Sequence, residues 1–261
     1  MAILERNQNG AVAHLTMNAP ERLNALSDEM LAALHAELDA IAEDSETRVV
    51  ILSGNGKAFC AGHDLKQMTA MRQAEDSGAA AFRDLFDRCS RLMARIQSLP
   101  QPVIAQVHGI ATAAGCQLVA TCDLAIAAEQ TRFGVNGVNI GLFCSTPMVA
   151  LSRNIPRKHA FEMLTTGAFI DATRAVELGL ANRSVPFASL NLETKALADQ
   201  IASKLGVAVK IGKRAFYEQI QMPTSEAYKF TGDVMVENML HADTEEGINA
   251  FLGKRDPRWR Q

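Results

Sequence analysis

An α/β fold with largely parallel strand pairing is what this sequence predicts, on three observations. Short β-branched runs recur over residues 11–17, 48–54, 102–109 and 123–128. Helical stretches lie between them, the clearest over 28–43, where Met30, Leu31, Leu34, Leu38 and Ile41 share one face at helical spacing. After Leu190 the chain reads as helical throughout. Strands that alternate with helices bury both sheet faces and pair in parallel.

Each element carries local signals. Ser27 is placed to cap the helix over 28–43, and Asp28 and Glu29 suit the positive end of its dipole. The tail keeps Met222, Met235, Met239, Leu240 and Phe251, too many apolar side chains to leave in water. The predicted organisation is a core over 1–195 carrying the site and a helical region over 196–261 that packs on the core or on a second subunit.

Composition narrows the function classes. At 261 residues and 48% hydrophobic content, the chain can bury a large core. It has no apolar run of membrane-spanning length, so no membrane partner is expected. A net charge of −3, with Lys and Arg scattered along the chain, argues against a nucleic-acid partner. The first residues have neither a basic n-region nor a long apolar stretch, and a cytoplasmic location is the expectation. Five cysteines form no CxxC pair and six histidines are dispersed, so no metal site is expected. The cysteines read as small apolar fillers.

Two strand-to-loop junctions stand out. After the run over 48–54 comes GNGKAFCAGHDLKQM, whose glycines allow a tight path with the amides of Ala61 to Asp64 turned outward. After the run over 102–109 comes IATAAGCQLVATCDLAIA, where Ala111, Ala113, Ala114 and Gly115 leave a helix N-terminus unobstructed. Such an end carries partial positive charge and receives a developing oxyanion. Taken singly, either segment reads as a tight turn or a closely packed helix. Together they place two backbone donors where both can reach one carbonyl oxygen. GxSxG is absent, and so is GxGxxG after a strand, which removes support for hydrolase and dinucleotide readings.

KAFCAGHDLK and GIATAAGCQLVATCDLAIA resemble the two signature regions of the crotonase (enoyl-CoA hydratase/isomerase) superfamily. The resemblance continues through MNAPERLNALS, FGVNGVNIGL, MLTTGAFIDATRAVELGLAN and FLGKRDPRW, and so covers nearly the whole chain; AAGCQLVA and IGLFCSTP mark one branch within it. It implies a ClpP/crotonase-like spiral of ββα units with a C-terminal helical trimerisation region, assembled as a homotrimer or a dimer of trimers. It implies an acyl-CoA thioester substrate and no cofactor beyond the coenzyme A that the substrate brings. By position, the oxyanion amides would be those of His63 and Ala114. Ala61, His63, Asp64, Leu65 and Lys66 would line the thioester and pantetheine, while Arg22, Ala25, Leu26 and Lys254 would meet the adenine-phosphate end.

One departure matters. Family hydratases use two glutamates, and their positions here hold Gln117 and Gly137; an aspartate used by some isomerases is replaced by Ser145. Gln117 can hold a water but cannot take a proton near neutral pH. His63 is a candidate base, or a cover for its loop; Asn136 and Asn139 are candidates for orienting a water; Cys116 and Cys144 read as fillers, and Asp64 as a helix cap. The segment over 68–82, with its methionines and Gly78, reads as a mobile lid or a surface helix. Three activities follow: a weak or altered enoyl-CoA hydratase/isomerase-like enzyme, an acyl-CoA-binding protein without turnover, or an enolate reaction such as decarboxylation or retro-aldol cleavage.

Overall fold

The polar run Leu4–Asn9 (β1) pairs antiparallel with Val12–Met17 (β2) at one edge of the main sheet; the computed structural model describes residues 2–260. β1 escapes the sequence pattern because an edge strand needs only one end buried, and here Leu4 alone is. Asp28–Glu43 (α1) follows, then Val49–Gly54 (β3), Leu65–Met71 (α2), Ala79–Ser98 (α3), Val103–Val107 (β4) and Ile110–Thr112 (β5). Ala114–Thr121 (α4), Leu124–Ala128 (β6), Arg132–Gly134 (β7), Pro147–Asn154 (α5) and Arg157–Thr166 (α6) come next. Ile170–Asp171 (β8), Ala172–Leu178 (α7), Arg183–Val185 (β9), Phe187–Ala202 (α8), Gly206–Gln219 (α9), Thr224–Met239 (α10) and Ala242–Leu252 (α11) complete the chain.

The main sheet runs β1-β2-β3-β4-β6-β9, parallel at every pair after the first. A smaller sheet, β5-β7-β8, lies beside it. A main-sheet strand, a short strand of the small sheet and a helix recur as β4-β5-α4 and β6-β7-α5, the ββα unit of a spiral. Strand alternation sorts the two faces: Val50 and Leu52 join the core with α1, α3 and α4, whereas Val49 and Ile51 pack with Ala198 of α8. The apolar face of α1 is buried as its spacing predicts, and Ser27 Oγ accepts from the Met30 amide at 3.3 Å.

Residue 195 lies inside α8, whose Leu190, Thr194 and Ala198 are buried, so α8 is part of the sheet packing and the change of character comes at α9. A polar anchor ties α9 down. Lys213 Nζ donates to the carbonyls of Ile96 and Gln101 at 2.8 and 3.0 Å and to Asp123 Oδ2 at 2.7 Å. Tyr217 donates to Asp123 Oδ1 at 2.9 Å, and the Val103 amide donates to Oδ2 at 2.6 Å. Burial pulls the Lys213 ammonium below its ordinary range, and the Asp123 carboxylate opposes that. Beyond this anchor α10 buries nothing, and Met235, Met239, Leu240 and Phe251 stand exposed.

Removing one member of a buried pair strands the other. Lys213→Ala is therefore expected to cost about 3–5 kcal/mol in urea unfolding, and Tyr217→Phe about 0.5–1.5 kcal/mol.

Candidate functional site

The two junctions meet backbone against backbone. Cys60 pairs with Ala111 in an isolated parallel bridge, with the Cys60 amide on the Ile110 carbonyl at 3.2 Å and the Thr112 amide on the Cys60 carbonyl at 3.0 Å. Gly62 (φ +91°) then passes so close to the start of α4 that a Cβ there would lie 3.0 Å from Ala113 Cβ and 3.4 Å from Ala114 N. Only glycine adopts this backbone and this approach without strain. Ala113, the N-cap of α4, sits at φ 50°, ψ −119°, a costly conformation for a residue with a side chain.

This crossing frees two amides. Ala114 is the first residue of α4, so its N–H has no acceptor within the helix. His63 sits in a parallel bridge with Leu26 in which the Leu26 amide bonds to the Gly62 carbonyl at 2.7 Å, directing the His63 N–H away from Leu26. Ala61 is fixed by its amide on the Leu23 carbonyl at 3.0 Å. Ala25 and Leu26 are buried beneath.

Among the other expected site residues, Asp64 caps α2, accepting from the Lys66 and Gln67 amides at 2.9 and 3.2 Å, with the Arg22 guanidinium 3.5 Å away. Leu65 and Lys66 lie exposed on the first turn of α2. Lys254 follows α11, and no hydrogen bond or ion pair joins it to residues 22–26 within the chain. The segment over 68–82 is not a single element: α2 ends at Met71, Asp76 holds the Gly78 and Ala80 amides, and α3 begins at Ala79.

The His63 ring packs edge-on against Phe86, centroids 5.7 Å apart, and both its nitrogens are buried without a partner. Burial holds its imidazole below the ordinary value, so it is neutral at neutral pH. Gln117 is 4% exposed, and its Oε1 likewise lacks a partner. At Gly137 a Cβ would collide with the Leu142 carbonyl and lie 2.9 Å from Cys144 Sγ, so the loop itself occupies the space of any side chain. Asn136 Oδ1 accepts from Thr112 Oγ1 at 2.6 Å, and Asn139 lies exposed against Gly167. Ser145 is exposed and bonds weakly to the Phe143 carbonyl. Burial pushes the Cys60, Cys89 and Cys116 thiols up to about 12 and raises Cys144 too, so none is a ready nucleophile.

Sequence reasoning missed the neighbours of Gln117. Ser90 and Gln97 of α3, Thr121 of α4, Thr146 at the N-cap of α5 and Arg153 within α5 line one cavity with it. The spacing of Thr146, Val149, Ala150 and Arg153, which repeats one helical face, was the available signal.

Half-buried His63 and His14 bind their protons more weakly in the folded chain than the ordinary value of 6.5 allows the unfolded chain to do. The unfolded state therefore takes up protons first, and stability declines as the pH falls from about 6.5 towards the lowered folded values. Asp44 and Asp76, held below the usual carboxylate range, titrate in a lower window. The urea midpoint is expected to fall between about pH 7.5 and 5.5, and to fall less in His63→Gln and in His14→Gln.

Comparison with known proteins identifies the family and the fold. The family model described as enoyl-CoA hydratase/isomerase matches residues 7–261. The mitochondrial enoyl-CoA hydratase domain-containing protein 3 of Xenopus laevis is 44% identical over 252 residues, covering 97% of this chain and 84% of that protein. The crystal structure of an enoyl-CoA hydratase from Mycobacterium smegmatis superposes with a TM-score of 0.95 at 51% identity, covering 99% of each chain. That of human enoyl-CoA hydratase domain-containing protein 3 superposes with a TM-score of 0.94 at 42% identity, covering 98% of this chain and 100% of that one. This is the branch that AAGCQLVA and IGLFCSTP mark. The cytoplasmic expectation is corrected by the same findings: these curated relatives are named as mitochondrial, which points to mitochondria. A compartment address resides in a receptor-read leader and leaves no trace in the composition of a folded core. With its family model, relatives and solved neighbours in agreement over nearly its full length, the chain belongs to the enoyl-CoA hydratase/isomerase family and carries the crotonase fold.

Proposed function

We propose that this protein binds an acyl-CoA thioester and stabilises its enolate with the amides of His63 and Ala114, as an enzyme of the crotonase type whose hydratase activity is weak or altered. The observation that carries the reading is the packing of Gly62, the residue before His63, against the start of α4, which supports a pair of donors acting together. Preorganised donors of this kind act where charge develops, and one of them is worth about 10²–10³ in rate. The positive end of α4 adds to them. Coenzyme A enters with the substrate, with Ala61, Asp64, Leu65 and Lys66 along the pantetheine and Arg22, Ala25, Leu26 and Lys254 towards the nucleotide end. No separate cofactor takes part.

Proton transfer is where the chain parts from a fast hydratase. Gln117 orients a water through its amide but moves no proton, and the Leu142 carbonyl and Cys144 fill the place of a side chain at Gly137. Fast hydration needs both roles, each typically worth about 10²–10⁴. That same filled space favours a second reading: decarboxylation of a malonyl-type thioester. There, loss of carbon dioxide leaves the electron pair as the enolate, which water then protonates.

The exposed Met235, Met239, Leu240 and Phe251 favour assembly of the helical tail into a homotrimer or a dimer of trimers. Sedimentation equilibrium is expected to give a trimer or hexamer mass, and Leu240→Asp with Phe251→Asp to lower it.

An enoyl-CoA panel followed by absorbance tests the catalytic reading. Wild type is expected near background and Gln117→Glu measurably above it, whereas Gly137→Glu lowers the melting temperature without gain. Calorimetry that detects no affinity for any acyl-CoA would sink the assignment.

A further inference from the structure

Three helices and a cap turn polar positions towards one cavity of about 300 Å³: Ser90 and Gln97 from α3, Gln117 and Thr121 from α4, Thr146 at the N-cap of α5 and Arg153 within that helix. Within each pair the spacing is that of a single helical face. Gln117 follows Ala114 by about 4.5 Å of helix rise. Gln117 therefore links the helix that Ala114 begins to the lining of this cavity, and on the acyl-thioester reading the acyl chain is assigned to this space.

Two features of the lining bear on what fills it. Gln117 is 4% exposed, yet its Oε1 has no donor, a costly state for a buried acceptor facing a hydrocarbon. Among the described residues Arg153, at the exposed rim, donates only to the Val149 carbonyl of its own helix at 3.0 Å and pairs with no carboxylate. No Asp or Glu lines the cavity. The space thus presents one cation, no anion, and a buried amide oxygen that needs a donor. A guanidinium receives a carboxylate with two parallel bonds, and a water carried in with the polar chain supplies the donor for Gln117.

We propose that the acyl group is that of a short dicarboxylic acid joined to coenzyme A through one carboxyl, with the free carboxylate held by Arg153. This rests on the acyl-thioester reading above and adds the chemistry at the far end of the chain.

Titration calorimetry of the full chain with adipyl-CoA, hexanoyl-CoA and free CoA tests it. The two thioesters match in length and differ in the terminal carboxylate. Adipyl-CoA is expected to bind about tenfold or more tightly than hexanoyl-CoA, the scale of one charge-assisted pair. The ratio should shrink at high salt and approach one in both Arg153→Ala and Arg153→Gln. Equal binding by wild type, or a preference that survives in Arg153→Gln, overturns the inference and leaves the acyl-CoA site standing. Absence of binding by both thioesters overturns the two together.

Discussion

Everything at the candidate site depends on one close approach, that of the loop after β3 to the loop after β5. The Cys60–Ala111 bridge sets the register, and Gly62 then lies against Ala113 and the first amide of α4. A side chain at 62 would separate the loops by the thickness of a methyl group. The proposed pair of donors to one oxygen would tolerate no such displacement, because a hydrogen bond weakens steeply with distance and angle. The strained backbone of Ala113 is held by the same contact: its amide bonds to the Gly134 carbonyl at 2.9 Å, and its carbonyl receives the Gln117 amide at 3.0 Å.

Around this rigid crossing the side-chain chemistry is sparse. The thiols are buried and protonated, the His63 imidazole is desolvated against Phe86, and Asp64 is spent on capping α2. On the proposed reading, charge stabilisation falls to the backbone and proton movement to water. The filled space at Gly137 makes this a built property of the loop over 142–144, since a carboxylate there requires the loop to be rebuilt.

The C-terminal region shows the opposite balance. The Lys213–Asp123–Tyr217 cluster locks α9 to the ends of β4 and β6, while α10 and α11 carry their apolar side chains outward. Polar groups fix the position of this region on the core, and apolar surface remains exposed beyond them.

The parallel α/β architecture, the apolar face of α1, the Ser27 cap and the two Gly- and Ala-rich junctions were legible in the sequence, because each rests on periodicity or on backbone preferences that act over a few residues. The residue types at 117 and 137, an amide and a glycine with no carboxylate, were legible directly. The polar edge strand β1 was not, since hairpin pairing supplies what its composition lacks. The compartment was not either, because a folded core does not encode it. Tertiary structure alone decided that His63 packs edge-on against Phe86, that no side chain fits at 137, and that Arg153 shares a cavity with Gln117. These facts join residues far apart in the chain, and only packing brings them within contact distance.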